Sequence, residues 1–147
     1  MRTEGTFTVP SPPTKVFDFL SDAHRIMDCL DDPHTVEVQD PSHFSGTITT
    51  GVAFIRGTFR LTGEFTELGR PSRVVARLHG SGMGSGLDAS VVIELSDSGG
   101  TTTVRWTADL TLSGPVASVG ERLVRSTLDK KTQALFARAR DLLAPGG

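Results

Sequence analysis

Apolar and polar residues alternate with a period of two through most of the middle of the chain. In one segment, Phe59, Leu61 and Phe65 are separated by polar residues such as Arg60 and Thr62. Such alternation is typical of an antiparallel strand with one face toward a core and the other toward water. The same period predicts strands at residues 2–9, 36–38, 44–52, 74–78, 87–95 and 104–112. Turn-forming residues separate these segments, and the Asp-Ser-Gly-Gly sequence at residues 97–100 predicts a hairpin.

Three segments show helical spacing instead. Ser11 and Pro12 fit the N-cap and first position of a helix over residues 14–20. Asp22 predicts the N-cap of a second short helix that runs through Met27. Apolar residues three and four positions apart predict a last helix from Val116 to Leu143, about 42 Å long, ended by Pro145, Gly146 and Gly147. Its start stays open, because residue 115 is a proline suited to a first helical position and residues 118–121 match a capping box.

These elements predict one α+β domain over residues 1–147. A sheet with one apolar face needs a cover, and the final helix is the only predicted element long enough to provide it. Long strands twist, so the sheet must curl around that helix. We therefore expect a curved antiparallel sheet that grips a long C-terminal helix, with short helices near the N-terminus and a hollow between helix and sheet.

Composition and charge exclude several classes of protein. The chain has 147 residues, a net charge of −2 and a pI of about 6.0, so it lacks the basic surface that nucleic-acid binding requires. A single cysteine, Cys29, excludes an internal disulfide framework and suits a reducing compartment. The first residues contain no apolar segment, and no apolar run approaches the length of a membrane span. We expect a cytoplasmic protein without a transmembrane segment.

Five motifs in a fixed order carry a resemblance to a known family. They read EGTFTVP at residues 4–10, PPTKVF at 12–17, RGTF at 56–59, GSGMGSG at 80–86 and GPVASVGERLV at 114–124. In this order they resemble the G-subunit family of carbon monoxide dehydrogenase, within the START-like (SRPBCC, helix-grip) superfamily. The resemblance extends over nearly the whole chain. None of the five motifs is a catalytic signature.

The resemblance implies a START-like domain with a central apolar cavity. It also implies an accessory role beside a molybdenum-dependent dehydrogenase of the carbon monoxide dehydrogenase type, in assembly or membrane recruitment, and a quinone-like or lipid-like ligand. Contact with a membrane surface stays open. Members of the family often carry a Pro-Gly-Cys-like turn after the second short helix. Residues 28–33 here read DCLDDP, which leaves the role of this loop open.

The candidate ligand-binding residues are apolar side chains that the strand period and helical spacing turn toward the interior. A filled, dry core built from the same residues is the alternative. Trp106 is either a core aromatic residue or a platform on which a ligand stacks. The candidates are Phe54, Phe59, Leu61, Phe65, Leu78, Met83, Ile93, Trp106, Leu110, Val119 and Leu123.

Glycines within the strands indicate either room or a change of curvature. Gly57 and Gly63 fall on the inward face of their strand, where a missing side chain leaves volume unfilled or allows a close approach. A bulge that lets the sheet curl is the rival explanation. The loop at residues 80–86 fails the dinucleotide-binding pattern, because a strand follows it, so we interpret it as a lip over the cavity or a plain hairpin. Met83 would act there as an apolar plug.

Catalytic and metal sites have weak support in the sequence. His24, Asp28, Cys29 and His34 lie close together without the paired spacing of a zinc site, so we expect no metal, no cofactor and no catalytic residue. A cyclase- or aromatase-like enzyme acting on a bulky apolar substrate is one alternative function, and a ligand-free interaction module is another. On the last helix, Arg122 and Lys130 are the polar residues expected to turn inward, unless they extend to water.

Overall fold

A computed structural model describes residues 1–144 of the protein. Seven strands precede the final helices: β1 (Arg2–Val9), β2 (His34–Asp40), β3 (His43–Val52), β4 (Ile55–Gly69), β5 (Arg73–Gly82), β6 (Ser85–Asp97) and β7 (Thr102–Ser113). Two short helices, α1 (Pro13–Leu20) and α2 (Ala23–Met27), connect β1 to β2. The chain ends with α3 (Pro115–Val119) and α4 (Glu121–Leu143). The predicted α+β class, with a long helix held by a curved antiparallel sheet, is confirmed.

All seven strands form one antiparallel sheet in the order β1-β7-β6-β5-β4-β3-β2. Each strand from β2 to β6 is joined by a hairpin to the strand that follows it, so consecutive strands are neighbours. Only β1 departs from this order, because α1 and α2 carry the chain from one sheet edge to the other. The register shifts between Phe65 and Glu67 of β4, and this irregularity accompanies the curl of the sheet.

The two short helices begin where the sequence predicts within one or two residues. Pro12 is the N-cap of α1, one position later than expected, and Pro13 is its first residue. Asp22 caps α2 as predicted, with its carboxylate accepting the backbone N–H of Arg25 at 3.3 Å. Ser11 has a different task, because its hydroxyl donates to the carbonyl of Leu143 at the end of α4.

The predicted single C-terminal helix is wrong in one respect. Gly120 lies between α3 and α4 with φ of 100°, a left-handed value that breaks the helix. Of the two predicted start signals, the proline is used, since Pro115 begins α3. The capping box is not formed, because Ser118 lies within α3 and Gly120, without a side-chain cap, is the N-cap of α4. The 23 residues of α4 extend about 35 Å, shorter than the predicted 42 Å. The predicted stop at residues 145–147 lies outside the described residues.

One end of the sheet is closed by a dense core. There α1 packs against β5 and β6, beside the last turns of α4, while α2 packs against α1 and β2. A buried hydrogen bond of 2.7 Å from the Thr102 hydroxyl to the Ser11 carbonyl joins β7 to the segment before α1. The core consists of Val9, Val16, Phe17, Phe19, Leu20, Cys29, Val74, Leu95, Val104 and Ala139.

Candidate functional site

The apolar faces of β4 to β7 form one continuous surface under α4. Strand register aligns Leu61 with Gly80, and Leu78 with both Gly63 and Ala89. The ring of Trp106 on β7 lies 5.9 Å from that of Phe136 on α4, which identifies this as the face turned toward the helix. We call it the concave face. The alternating polar residues lie on the opposite, convex face.

Much of the concave face stays accessible to solvent although a helix crosses it. Its large central side chains are only partly buried, although the small Ala76 and Ala89 beside them are buried. Residues in a filled core lose nearly all contact with water. The helix α4 packs mainly against β1 and β3, near the two sides of the sheet, rather than against the central strands. The helix α4 therefore leaves part of this apolar face accessible, and we call the space between that part and α4 the hollow. The partly exposed side chains include Phe59, Leu61, Leu78, Leu87, Leu110 and Leu112.

An aromatic groove lies between β1 and α4 and shares Trp106 with the concave face. Phe7 and Phe136 stack with their ring centroids 4.2 Å apart, and Trp106 lies beside them. Gly5 faces the Trp106 indole, whose nearest atoms lie about 3.0 Å from the point where a Cβ would stand. The groove has a volume of about 310 Å³, and Thr132, Gln133 and Arg140 of α4 also line it. Its lining is mixed, because six polar or charged side chains, among them Glu4 and Asp129, accompany the three aromatic rings.

The two inward glycines of β4 allow close approach and do not leave empty volume. A Cβ at Gly63 would collide with the Phe44 ring, so that ring fills the space. A Cβ at Gly57 would collide with the Met83 thioether in the same way. Of the two possibilities that the sequence left open, close approach is the one observed.

Met83 lies in the tight turn between β5 and β6. Met83 and Gly84 have φ values of 53° and 76°, the left-handed conformations of a two-residue hairpin turn. The Met83 side chain is 55% exposed while its thioether covers Gly57. It therefore lies at the rim of the hollow, where a flexible apolar side chain can move without disturbing the sheet.

The structure brings together most of the candidate ligand-binding residues but not all of them. Val119 is partly buried in α3, and Leu123 is 51% exposed on the first turn of α4. Phe54 was expected on the concave face and lies elsewhere, because it occupies the turn before β4 and is 77% exposed. The residues placed on the concave face are Phe59, Leu61, Phe65, Leu78, Ile93, Trp106 and Leu110.

Lys131 of α4 hydrogen-bonds to the sheet, and the sequence pattern did not single it out. Its ammonium donates to the Thr50 hydroxyl at 2.6 Å and to the Asp32 carboxylate at 3.1 Å. The expected residues Arg122 and Lys130 are exposed, beside a shallow cleft on the outer side of α4. The spacing of Val124, Leu128, Lys131, Leu135 and Ala139 by three or four residues is the signal that would have found Lys131.

The cysteine and histidine residues near α2 are held in structural contacts. Burial raises the pKa of the Cys29 thiol, which opposes formation of the reactive thiolate. The His34 ring hydrogen-bonds to the Asp32 carbonyl at 2.8 Å, and this bond raises the pKa of His34. Within residues 1–144, no three His, Cys, Asp or Glu side chains converge as metal ligands. These groups stabilise the loop at residues 28–33 that precedes β2.

A family comparison accounts for this arrangement of strands, hollow and C-terminal helix. The model of the family described as the G subunit of carbon monoxide dehydrogenase (CoxG) matches residues 5–143. The chain belongs to the CoxG family. No curated protein matches it in sequence. Among residues 1–144 of this CoxG family member, none of the helices combines the length and the apolar character that a membrane span requires.

Solved structures similar to this CoxG family member support the helix-grip fold. A conserved protein from Geobacillus kaustophilus is 18% identical, with a TM-score of 0.90 over 97% of this chain and 95% of that chain. The ZhuI aromatase/cyclase from Streptomyces sp. R1128 is 15% identical, with a TM-score of 0.71 over 100% and 98%. Ara h 8.0201 is 13% identical, with a TM-score of 0.70 over 97% of each chain. At these identities the likeness concerns the fold alone.

Proposed function

We propose that this chain binds a hydrophobic small molecule, quinone-like or lipid-like, without transforming it. The observation that carries the proposal is the partly exposed concave face beneath α4, with an aromatic groove beside it. Apolar surface left accessible in this way lowers the stability of the empty protein, and a ligand that covers it restores the loss. Covering about 300 Å² of apolar surface is worth at most about 7 kcal/mol before the costs of association.

The polar groups near the hollow support binding over catalysis. The Lys131 ammonium is paired with Asp32, and His34 is hydrogen-bonded to a backbone carbonyl. General acid–base catalysis needs a titratable group within reach of the reacting atoms. The side chains that line most of the concave face are apolar and cannot transfer protons, and the carboxylates of Glu4 and Asp129 lie in the groove beside it.

The proposal is tested by thermal unfolding with and without a decyl-tailed benzoquinone. A ligand at about one hundred times its Kd adds about 2.7 kcal/mol, which raises the Tm by about 8 °C for a chain of this size. Leu61→Trp places a large side chain in the hollow, so we expect this variant to fold and to lose the shift. Thr62→Trp is the matched control, because Thr62 is exposed on the convex face of the same strand.

Three results would contradict ligand binding in the hollow. The first is an unchanged Tm of the parent protein with both the quinone and fatty acids, together with solvent extracts of the purified protein that contain no apolar compound by mass spectrometry. The second is an equal shift in parent and Leu61→Trp protein, which would place the ligand elsewhere. The third is loss of the shift in Thr62→Trp alone.

We further propose that the binding protein serves a molybdenum-dependent complex of the carbon monoxide dehydrogenase type, in the cytoplasm. The family description supports the partner, and the free, buried thiol of Cys29 suits a reducing compartment. Disrupting the gene in the source organism should lower carbon monoxide oxidation by cells, and the parent gene should restore it. A gene that encodes Leu61→Trp should restore carbon monoxide oxidation poorly, and one that encodes Thr62→Trp should restore it fully. Unchanged oxidation after disruption would overturn this assignment, and fractionation of cells tests the location.

A further inference from the structure

Three elements meet at the Lys131 side chain. Lys131 comes from α4, Thr50 from β3, and Asp32 from the loop that precedes β2. The side chains of Lys131 and Asp32 are 33% and 30% exposed, so water and small molecules can reach the pair. We call these three residues the Lys131 cluster.

The Lys131 cluster lies at the rim of the hollow. Thr50 occupies the same face of β3 as Phe44, whose ring covers the inward side of Gly63. Thr50 is also paired in register with Gly57, on which Met83 lies. A molecule in the hollow whose polar end points toward Met83 would therefore bring that end next to Lys131.

The cluster retains donors for one more oxygen atom. An ammonium group has three protons, and Lys131 uses two of them on Thr50 and Asp32. Because Thr50 accepts from Lys131, its own hydroxyl proton is free to donate. Two donors thus lie side by side next to apolar surface.

The charge balance of the cluster selects among ligands. Asp32 neutralises Lys131, so a ligand carboxylate would gain little from the ammonium and would be repelled by the Asp32 carboxylate. A neutral carbonyl, ester or alcohol oxygen can accept both hydrogen bonds without adding charge.

We infer that the Lys131 cluster binds the polar end of the ligand and selects a neutral oxygen acceptor over a carboxylate. This inference rests on the proposed function and specifies its ligand class. It also assigns a task to the loop at residues 28–33, which supplies Asp32. The exposed Lys130, one residue away on the outer side of α4, has no part in it.

Two probes with equal tails test the inference: a decyl-tailed benzoquinone and decanoate, with affinities measured by calorimetry. The parent protein should bind the quinone more tightly.

Lys131→Met should weaken quinone binding about tenfold, the effect of losing one hydrogen bond from a charged donor. Thr50→Val keeps the Lys131–Asp32 pair and should weaken quinone binding about threefold. Asp32→Asn leaves the ammonium unbalanced and should strengthen decanoate binding about tenfold. Lys130→Met is the control and should match the parent.

The possible outcomes separate this inference from the proposed function. Parental quinone affinity in both Lys131→Met and Thr50→Val would overturn the inference and leave ligand binding intact. An unchanged preference between the two probes in Asp32→Asn would also overturn the inference. If one variant fails to fold, as seen by circular dichroism, the other two decide. Failure of both probes to bind the parent protein would overturn the proposed function and the inference together.

Discussion

The two ends of the concave face are built from the same alternating strands and yet are packed differently. At the end next to α1 and α2, Val16, Val74 and Val104 have at most 1% of their surface exposed. Toward the hairpin turns, Phe59 and Leu61 keep partial access to solvent, and Met83 is largely exposed. The strand pattern therefore does not determine whether the face becomes a filled core.

The difference comes from what covers each end. The helix α1 contributes Val16, Phe17, Phe19 and Leu20 to the filled end, and Ser11 binds the last turn of α4 there. At the other end α3 contributes Val116, and Gly120 then redirects the chain into α4. The five residues of α3 bury one side chain, whereas the eight residues of α1 bury four, so more of the sheet stays accessible at the α3 end.

Truncating one aromatic side chain at each end should give the largest contrast. Phe19→Ala removes a ring that is 3% exposed and should lower the free energy of unfolding by about 3–5 kcal/mol. Phe59→Ala should lower the free energy of unfolding by about half as much or less, because Phe59 keeps contact with water and borders unfilled space. Urea unfolding of both variants measures the difference. Equal costs would mean that the hairpin end is as solid as the helix end.

The two glycines of β4 offer a smaller contrast. Gly63→Ala would press a methyl group against the Phe44 ring and should cost about 1–3 kcal/mol. Gly57→Ala meets the flexible and exposed Met83, which can move away, and the lower entropy of the unfolded chain offsets the remainder. We expect the free energy of unfolding of Gly57→Ala to lie within about 0.5 kcal/mol of the parent value. Urea unfolding decides, and a larger loss at Gly57 than at Gly63 would reverse the assignment of rim and interior.

The smallest effect concerns pH and the loop that supplies Asp32. The pKa of His34 is raised, mainly by its hydrogen bond to the Asp32 carbonyl, so the folded protein favours the protonated ring. This contribution is fully present below the unfolded pKa of about 6.5 and is lost as the pH rises through the higher folded pKa. The stability difference between parent and His34→Gln should be largest near pH ~5.5 and shrink toward pH ~8.5. A difference that grows with pH would contradict the bonding described for this loop.

The sequence predicted the fold more fully than the site. Alternation in β4 to β7 predicted the strands and the side chains that face inward, up to the register shift after Phe65. Phe54 was predicted to face inward because the strand period was extended into the turn between β3 and β4, where side chains do not alternate between two faces. The kink at Gly120 depends on a backbone conformation that two competing helix starts did not reveal.

Site residues that depend on long-range contacts were harder to predict. Lys131 faces inward with the apolar row of α4, but its partners Thr50 and Asp32 come from elements far away in sequence. The glycines were recognised as unusual, while Phe44 and Met83, which fill the space beside them, became apparent only from strand register and turn geometry.

The central claim is that an apolar molecule enters the space between α4 and the sheet. Trp106 is the single tryptophan and lines this space, so its fluorescence reports on it directly. Titration of the parent protein with a decyl-tailed benzoquinone should quench that fluorescence to saturation at one molecule per chain. Trp106→Phe, which removes the reporter, is the control and should give no tryptophan signal. Quenching of the parent that rises linearly with quinone concentration, as free collisions in solution produce, would contradict the account.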